Sequence, residues 1–423
     1  MLGSFWSGLL FVALVAGVLL RDPLLFMVSL ALLLGAGLSG YWAAHCLDGV
    51  TYRRQFSQVK AAFGDEIDLT VEVVNGKPLP LPWLEAEDEV PRDLAPMKGR
   101  VLQTHKTLRR LLANSLSLRW YERVRRRYHI RCGARGEFVF GPVTVRSGDV
   151  FGFLGRETTF PDLDYVLVYP KIVTLPELGL PPAGPFGDLS VRRWLFHDPL
   201  RTAGVREYRA GDPLRQIHWK ATAKAQELRV KINEPSTSHR VMVVLNVNTE
   251  GPHWWWQGYD PDILELAITA AASVVAWAME RGFPTGLAVN GAGRLIPGPV
   301  SIEPGRAPGQ LTEMMETLAR ITPYAVTPME KLLHEVGGRL PYGCTVVVIS
   351  AKVESPLKAE LLTLRRAGHQ VTLLVPADAG EGTDPVGAAS FPATAATMPG
   401  VRVHYLGGRA AWRRIVGAGG EAS

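Results

Sequence analysis

Two uncharged apolar runs open the chain, Leu2–Leu20 and Leu24–Ala44. As helices they would be about 28 Å and about 31 Å long, close to the ~30 Å thickness of the hydrocarbon core of a bilayer. The pattern therefore predicts a two-helix transmembrane hairpin over residues 1–45. A cleaved signal peptide is the alternative. The pattern disfavours it, because no basic residue precedes the first run and a second run follows at once.

Basic residues near the two runs predict the orientation of the hairpin. The turn between the runs holds one basic and one acidic residue, whereas Arg53, Arg54 and Lys60 follow the second run. The positive-inside rule then places both ends of the hairpin and the bulk of the chain in the cytoplasm, as a cell-membrane protein with two spans. Aromatic side chains would lie at the same membrane interface, namely Trp6, Tyr41 and Trp42.

From Val50 onward the hydrophobic period changes to two. Apolar and polar residues alternate in short segments that Gly, Pro and Asn separate, within residues 67–73, 116–120, 124–132 and 138–145. Alternation gives a strand one buried and one solvated face, and a series of such strands is typical of a sandwich. Residues 46–160 are therefore predicted to form an Ig-like β-sandwich.

One stretch of this region is strongly basic. Between Arg100 and Arg135 eleven Lys and Arg residues stand against one acidic residue, Glu122. Aromatic residues do not interleave with them in a way that suits base stacking, so we do not expect nucleic-acid binding. A solvated strand face is the simplest interpretation, and binding to anionic lipid headgroups is the functional alternative.

After residue 237 the pattern changes to continuous apolar runs between helical segments. The runs Val241–Leu245 and Thr345–Ser350 are typical of strands buried on both faces. Helices are predicted over Gln310–Arg320, after an N-cap at Asp260, and after a capping box that begins with Thr327. Alternation of strands and helices predicts an α/β domain with a mostly parallel sheet.

These patterns divide the chain into segments. The α/β domain is predicted over residues 238–410, and a connecting segment, residues 161–237, joins it to the sandwich. A tail, residues 411–423, is predicted to follow it. The predicted fold class is therefore multidomain: a transmembrane α-hairpin, a β-sandwich and a Rossmann-like α/β domain.

Ligands of such sheets bind at the carboxyl ends of the strands. The loop after Val241–Leu245 resembles that of a von Willebrand factor A-like domain, whose metal site has D-x-S-x-S here, a Thr before a later helix and an Asp after the fourth strand. The corresponding residues are Asn246, Asn248, Glu250, Thr327 and Ser350, of which Thr327 alone matches. Because the set offers at most one carboxylate to Mg²⁺, the sequence predicts a degenerate site without a metal. A metal-dependent ligand-binding module is the alternative. Just beyond this loop, residues 253–256 read His-Trp-Trp-Trp, a cluster that would pack against another domain or form an interface.

The densest polar segment lies at residues 204–234. A turn at Asp212 is predicted to cap a short helix with Ile217, His218 and Ala221 on one face. The side chains around it, predicted to bind a partner, are Arg206, Glu207, Arg209, Asp212, Arg215, His218, Trp219 and Lys220. A hydrolase that uses Asp212, His218 and Lys220 is an alternative. No Ser or Cys lies in a recognisable nucleophile elbow, so the pattern favours docking over catalysis.

Composition adds a few exclusions. Hydrophobic residues make up 47% of the 423 residues and charged residues 20%, so the chain has ample material for folded cores. Three distant cysteines indicate neither a disulfide framework nor a zinc site. No Walker loop, H-E-x-x-H or C-x-x-C motif occurs, and no cofactor is predicted.

Residues 204–231, GVREYRAGDPLRQIHWKATAKAQELRVK, resemble the signature of the bacterial domain of unknown function 58 family. Residues 131–154 and 168–171 are similar to further segments of that family. The resemblance implies a membrane protein with a von Willebrand factor A-like domain. Genes of the family often lie beside those of MoxR-type AAA+ ATPases, which implies a partner role in assembly or envelope-related processes. We therefore expect a membrane-anchored, non-catalytic scaffold that binds such an ATPase or another cytoplasmic protein.

Overall fold

The computed structural model describes two compact units, unit 1 (Met1–Lys171) and unit 2 (Ile172–Ser423). Each unit has a buried hydrophobic cluster of its own. The described residues are 2–152, 154–182, 197–208, 217–235, 240–250, 258–293, 296–377 and 398–417. Of these, the backbone alone is described for residues 2–7, 197–204, 231–235 and 296–297.

Unit 1 begins with two apolar helices, α1 (Leu2–Leu19) and α2 (Pro23–His45), which pack against each other. The carboxylate of Asp22 caps α2, because its Oδ1 accepts the N–H groups of the second and third residues of the helix at 2.9 Å and 3.2 Å. A side chain at Gly17 would lie 2.8 Å from the backbone of α2, so glycine permits the close approach. Helix α2 is long and apolar enough to cross a membrane, with a mean hydropathy of 1.9.

Eleven strands follow the helices in unit 1. They are β1 (Val50–Phe56), β2 (Lys60–Ala61), β3 (Glu66–Asn75), β4 (Leu81–Pro91), β5 (Arg100–Gln103), β6 (Arg109–Leu118), β7 (Arg123–Arg131), β8 (Gly136–Phe140), β9 (Val143–Gly148), β10 (Gly155–Phe160) and β11 (Asp164–Val168). The sheets run β1-β3-β7, β10-β9-β4-β6-β5 and β2-β11-β8. Strand β3 alternates between buried and half-buried residues along its length, as its sequence predicts.

A buried ion pair lies within the core of unit 1. Nε of Arg54 donates to Oδ2 of Asp88 at 2.8 Å, and the hydroxyl of Tyr52 donates to the same oxygen at 2.9 Å. The second partner of the Arg54 guanidinium is Asp164, at 2.7 Å. Burial raises the pKa of Tyr52 well above its ordinary value, with the Asp88 charge adding to the effect. The hydroxyl of Tyr52 therefore remains a neutral donor to the carboxylate of Asp88.

The predicted end of the sandwich at residue 160 is too early. Strand β11 pairs with β8 and with β2, so it belongs to the sheets of unit 1. Its residues Val166 and Val168 are fully buried in the core of this unit. The boundary between the units falls at Lys171 instead.

Unit 2 contains an antiparallel hairpin and an α/β sheet. The hairpin consists of β12 (His197–Glu207) and β13 (Arg229–Pro235), with α3 (Trp219–Ala225) between them. The strands of the sheet are β14 (Val241–Leu245), β15 (Thr285–Gly293), β16 (Ile296–Gly305), β17 (Ile321–Ala325), β18 (Thr345–Ile349), β19 (Gln370–Val375) and β20 (Val401–Tyr405). Its helices are α4 (Pro261–Glu280), α5 (Gln310–Arg320), α6 (Met329–Arg339), α7 (Ser355–Arg366) and α8 (Arg409–Gly417).

The sheet is doubly wound. Its strand order is β16-β15-β14-β18-β19-β20, and every neighbouring pair from β15 to β20 is parallel. Strands β16 and β17 both pair with β15 in the antiparallel direction. Helix α4 contacts α5 and α8, while α6 and α7 contact each other. The order reverses at β14, so the carboxyl ends of β14, β15 and β18 form the crevice where such sheets bind ligands.

Two predictions for unit 2 are wrong. Residues 411–417, predicted to be part of a tail, lie in α8, where Trp412 and Ile415 are buried and α8 packs on α4. Helix α6 begins at Met329 after Pro328 and has no side-chain cap, so Thr327 does not form the predicted capping box. Helix α4 is also apolar, and 78% of its most apolar window is buried, as expected for the central helix of an α/β core.

Candidate functional site

The carboxyl edge of the unit 2 sheet brings three polar side chains together. Leu245, the last residue of β14, is in register with Val289 of β15 and Ile349 of β18. The next residues along these strands are Asn246, Asn290 and Ser350. All three are buried, with exposures of 5%, 1% and 0%. Parallel pairing thus puts the predicted residues Asn246 and Ser350 beside each other at the switch point of the sheet.

These side chains satisfy one another. The amide nitrogen of Asn246 donates to the Ser350 hydroxyl at 2.9 Å, and that hydroxyl donates to the carbonyl oxygen of Lys352 at 2.5 Å. Oδ1 of Asn246 accepts the amide of Asn290 at 2.8 Å and the backbone N–H of Asn248 at 3.0 Å. Both lone pairs of that oxygen are therefore in use. We call Asn246, Asn290 and Ser350 the edge network.

The edge network does not fit a divalent metal. Mg²⁺ is held by carboxylates together with water, and the network has no carboxylate. Glu250 forms an ion pair with Arg409 at 3.5 Å, and the contact of Thr327 with the network is its backbone carbonyl, 3.4 Å from the amide nitrogen of Asn290. Within the described residues no group of three or more His, Cys, Asp or Glu side chains could hold a metal ion.

A charged cluster joins α8 to the start of α4 beside this edge. Asp260 caps α4 by accepting the N–H groups of Asp262 and Ile263, and its second oxygen accepts Nε of Arg409. The hydrogen bond to Asp260 raises the pKa of Arg409 above its ordinary value. A further ion pair, Arg413 with Asp262 at 3.2 Å, lies next to it. The cluster fixes α8 on α4.

Residues 204–231, which we call the signature segment, contribute the end of β12, helix α3 and the start of β13 to the hairpin of unit 2. Glu207 is exposed and lies in register with Arg229, and their charged groups are 3.7 Å apart. Arg206 is half-buried, and its guanidinium donates to the carbonyl of Glu207 at 3.0 Å. Three predicted residues of this segment, Arg209, Asp212 and Arg215, lie outside the described residues.

His218 is the N-cap residue of α3 and directly precedes the helix. Its Nδ1 accepts the N–H of Ala221 at 3.1 Å, and its own backbone N–H donates to the carbonyl of Arg229 at 2.7 Å. Ile217 is buried and forms a bridge with Val230 of β13. The predicted helical face that joins Ile217, His218 and Ala221 is therefore wrong, because the helix starts at Trp219.

The imidazole of His218 is used as a helix cap. Because Nδ1 accepts the N–H of Ala221, its lone pair already serves the helix. The neighbouring predicted residues Trp219 and Lys220 are exposed, with 69% of Trp219 accessible. With Lys224, which is also exposed, α3 presents one indole and two ammonium groups.

The predicted interface aromatics have different environments. Tyr41 is 61% exposed on α2, whereas Trp42 packs against the core of unit 1. The side chain of Trp6 and the whole of residues 253–256 lie outside the described part of the chain. Trp42 thus helps to hold α2 on the sandwich.

The basic face of the sandwich is partly neutralised. On β7 the guanidinium groups of Arg123 and Arg125 lie 3.7 Å and 2.5 Å from the carboxylate of Glu72, which β3 contributes. His129 of β7 pairs with Asp68 of β3 at 2.6 Å. Cross-strand pairing with β3 is a sufficient role for these basic residues.

Sequence reasoning missed Asn290 and Arg409. Asn290 follows the apolar residues 287–289 of β15, and a polar residue after such an apolar run was the signal that could have identified it. Arg409 stands before the predicted tail, where no pattern indicated a contact with Asp260.

Comparison with known proteins adds one family. Residues 204–387 match the family "Protein of unknown function DUF58". This span contains the signature segment and the edge network.

One curated relative is the "Uncharacterized protein YeaD" of Bacillus subtilis (strain 168). It is 26% identical over 278 residues, which cover 63% of this chain and 62% of the relative. The chain thus spans less than two thirds of the length of that relative.

Solved structures resemble about a third of the chain or less. An aerotolerance-related membrane protein from Bacteroides fragilis NCTC 9343 is 15% identical and has a TM-score of 0.24, covering 32% of this chain and 67% of that one. The CARDB domain of the PF1109 protein from Pyrococcus furiosus is 11% identical with a TM-score of 0.19, covering 28% and 91%. A non-cellulosomal cohesin from Archaeoglobus fulgidus is also 11% identical, with a TM-score of 0.20, covering 28% and 90%. We draw no conclusion about function from such low similarity.

Proposed function

We propose that this protein is a membrane-anchored, non-catalytic protein-interaction module, with the sandwich of unit 1 and the whole of unit 2 in the cytoplasm. The observation that carries the proposal is the edge network. At the place where doubly wound sheets bind ligands, Asn246, Asn290 and Ser350 direct their donors and acceptors at each other. A crevice closed in this way suits a structural role.

The strand order of the sheet supports a von Willebrand factor A-like, Rossmann-like assignment for unit 2. The arrangement of three mostly antiparallel sheets around one core supports an Ig-like assignment for the sandwich of unit 1. Both assignments agree with a scaffold that presents surfaces and not a reaction centre.

The hydrolase alternative has little support in the described residues. A general base needs a free lone pair within reach of a substrate proton. Nδ1 of His218 already accepts the N–H of Ala221. Lys220 is exposed to solvent, which does not provide the burial that activates a catalytic lysine.

Helix α3 supports docking to an acidic partner. Its sequence, WKATAKA, contains two lysines and no acidic residue, and Trp219 and both lysines are exposed. Exposed Trp next to cationic side chains is typical of protein interfaces. The partner class that the family resemblance implies is a MoxR-type AAA+ ATPase, and we propose an acidic surface of such an ATPase as the binding partner.

Membrane anchoring rests on α1 and α2. The two helices are antiparallel neighbours joined by a short turn, and α2 is largely accessible, with 11% of its most apolar window buried within the protein. We propose that both helices span the bilayer, with their outer ends and the rest of the chain in the cytoplasm.

Photo-crosslinking in native membranes tests the partner proposal. A photoreactive amino acid replaces Ala225 at the end of α3, and crosslinked proteins are identified by mass spectrometry. The double variant Trp219→Ala, Lys220→Glu removes the exposed indole and reverses one charge. We expect it to reduce the crosslinked ATPase at least about tenfold, the loss of roughly 1.4 kcal/mol or more of binding free energy.

The matched control is Tyr324→Ala with Lys331→Glu. These residues are exposed elsewhere in unit 2, with Tyr324 51% accessible. The control should retain the crosslink. Equal crosslinking of both double variants, at normal protein levels, would contradict docking through α3. Turnover of a small molecule by the purified chain, lost in His218→Asn, would contradict the non-catalytic assignment.

A further inference from the structure

Three loops of unit 1 leave the sandwich at the same end as α2. The register pairs the first residue of β1 with the last of β3, the first of β4 with the last of β6, and the last of β9 with the first of β10. The loops that follow are therefore neighbours at one end of the sandwich, and we call them together the helix-proximal end. They are residues 76–80, 119–122 and, within 149–154, the described residues 149–152 and 154.

Cations fix the carboxyl end of α2 to this end of the sandwich. Nζ of Lys77 donates to the carbonyl oxygens of Cys46 and Asp48, at 2.5 Å and 2.6 Å. The guanidinium of Arg156 donates to the carbonyl of Ala44 at 2.6 Å. Positive groups at a helix carboxyl terminus both satisfy its last carbonyls and complement its dipole. The distance between α2 and the helix-proximal end is thus set by hydrogen bonds.

The loop from β9 to β10 extends along α2 itself. Oδ2 of Asp149 accepts the hydroxyl of Ser39 at 2.6 Å, while its Oδ1 accepts the N–H of Leu154 at 2.8 Å. Ser39 lies six residues before the end of α2, which is about 9 Å along the axis.

That position lies inside the outer part of the hydrocarbon core if α2 spans the bilayer. A helix of 23 residues is about 34 Å long, and the hydrocarbon core is about 30 Å thick. A centred span leaves about 2 Å of helix outside the core at each end, so Ser39, about 9 Å from the end of α2, lies roughly 7 Å inside the core. The loop that it binds must lie at the same level, within the ~5–10 Å that interfacial segments reach into the acyl boundary.

The side chains at this level are apolar, aromatic and exposed. In the loop from β9 to β10, Val150 is 55% exposed, Phe151 69% and Leu154 42%. In the loop from β6 to β7, Trp120 is 65% exposed and Tyr121 67%. Indole and phenol rings favour the headgroup region, and apolar side chains next to them favour the acyl boundary.

We propose that the helix-proximal end of unit 1 is inserted in the bilayer interface, with the loop from β9 to β10 at the acyl boundary and Trp120 and Tyr121 at the headgroups. The ligand is phospholipid of the membrane that α2 crosses, so the inference rests on the proposed anchoring. The sandwich would then make a second, interfacial contact with the membrane, in addition to α1 and α2. The hydrogen bonds of Asp149 with Ser39 and of Lys77 with the end of α2 would hold it in a fixed orientation.

Spin labels on the full chain test this insertion. All three native cysteines are buried, with exposures of 0%, 0% and 2%, so a nitroxide will attach to an introduced cysteine. Val150→Cys and Trp120→Cys probe the proposed surface. Val59→Cys, 58% exposed at the opposite end of the sandwich, is the aqueous control, and Leu34→Cys, 66% exposed on α2, is the membrane control. The chain is reconstituted in phosphatidylcholine–phosphatidylglycerol vesicles, and collisions with oxygen and with a water-soluble nickel chelate are compared.

We expect labels at 150 and 120 to collide with oxygen and to be shielded from nickel at least about threefold relative to the label at 59. Nickel access at 150 and 120 equal to that at 59, with the label at 34 shielded, would overturn the insertion and leave the anchor standing. Labels at 150 and 120 that neither reagent reaches would indicate a protein cover and would also overturn it. Nickel access at 34 would overturn the anchoring and the insertion together.

Discussion

Asn246 corresponds to an aspartate in the metal site of von Willebrand factor A-like domains, the class that we propose for unit 2, and it differs from that aspartate in having an amide nitrogen in place of one carboxylate oxygen. Its amide nitrogen supplies a hydrogen to Ser350 that a carboxylate does not have. Its oxygen takes two N–H donors at 2.8 Å and 3.0 Å, where an aspartate would bind a cation. The edge of the sheet is stabilised by neutral hydrogen bonds, so restoring a charge there should be costly.

The first prediction concerns Asn246→Asp. The variant loses the hydrogen bond to Ser350 and buries a charge, so we expect it to lower the free energy of unfolding by at least about 2 kcal/mol. Thermal unfolding with and without Mg²⁺ measures this. The control is Asn248→Asp, at a half-buried position two residues later, which should cost less. Recovery of stability by Mg²⁺ in Asn246→Asp, and not in Asn248→Asp, would show that a metal fits after all.

A second residue gives unit 2 a pH dependence. His369 is 3% exposed, and burial lowers its pKa despite an opposing hydrogen bond to the backbone of Cys344. The unfolded chain then binds the proton more readily than the folded chain. Its contribution is complete above about pH 6.5, the ordinary pKa, and is lost as pH falls toward the lowered value.

We therefore expect His369→Gln to show a flatter dependence of stability on pH. Denaturant unfolding of both proteins at pH 7.5 and pH 5.5 gives the comparison. Carboxylates that also titrate contribute equally to both, so the difference between the two slopes belongs to His369. Parallel slopes would mean that the buried ring is not the source.

At the scale of elements, α3 depends on the residue that precedes it, His218. The helix has seven residues, too few to be stable without caps or packing. Its cap is the imidazole of His218, and Thr222 ties the helix to β13 by accepting the N–H of Arg229 at 3.0 Å. In residues 204–234, for which docking and catalysis were the hypotheses, His218 and Thr222 thus stabilise a short helix.

His218→Ala should destabilise α3 by about 1 kcal/mol, whereas His218→Asn, which can also accept a hydrogen bond, should retain much of the cap. Hydrogen exchange of the amides in α3 of the full chain measures the difference. Lys224→Ala, late in the same helix, is the control for substitution alone. Equal protection in the alanine and native proteins would remove the capping role.

The elements also show what the sequence could and could not predict. Strand alternation, the Asp260 cap and helix Gln310–Arg320 were readable because they are local signals. Strand β16, with the sequence IPGPVSIEPG, could not be predicted, because Pro and Gly disfavour strands. It is a strand because it pairs with β15. The resemblance to a von Willebrand factor A-like site grouped Asn246 with Ser350. The contact of Asn290 could not be predicted in this way, because it depends on which strand lies on the other side of β14.

At the scale of the molecule, the chain consists of two units with separate cores. The large cluster of unit 1 contains residues from Cys46 to Val168, and that of unit 2 from Met242 to Met398. Neither cluster includes a residue of the other unit. Because burial of such cores supplies most of the stability of a domain, each unit should unfold in its own transition.

Variants that act on one core test this independence. Asp88→Ala leaves Arg54, whose side chain is 2% exposed, without one of its carboxylate partners, and should lower the stability of unit 1 by about 3–5 kcal/mol. Asn246→Ala leaves the partners of the edge network unsatisfied and should lower that of unit 2 by about 1–3 kcal/mol. Calorimetry of the full chain in detergent should show two transitions, with each variant shifting a different one and the double variant shifting each transition by the same amount as the corresponding single variant. A single transition that both variants shift would mean that the two units stabilise each other, and the docking surfaces of unit 2 would then have to be sought on the joined molecule.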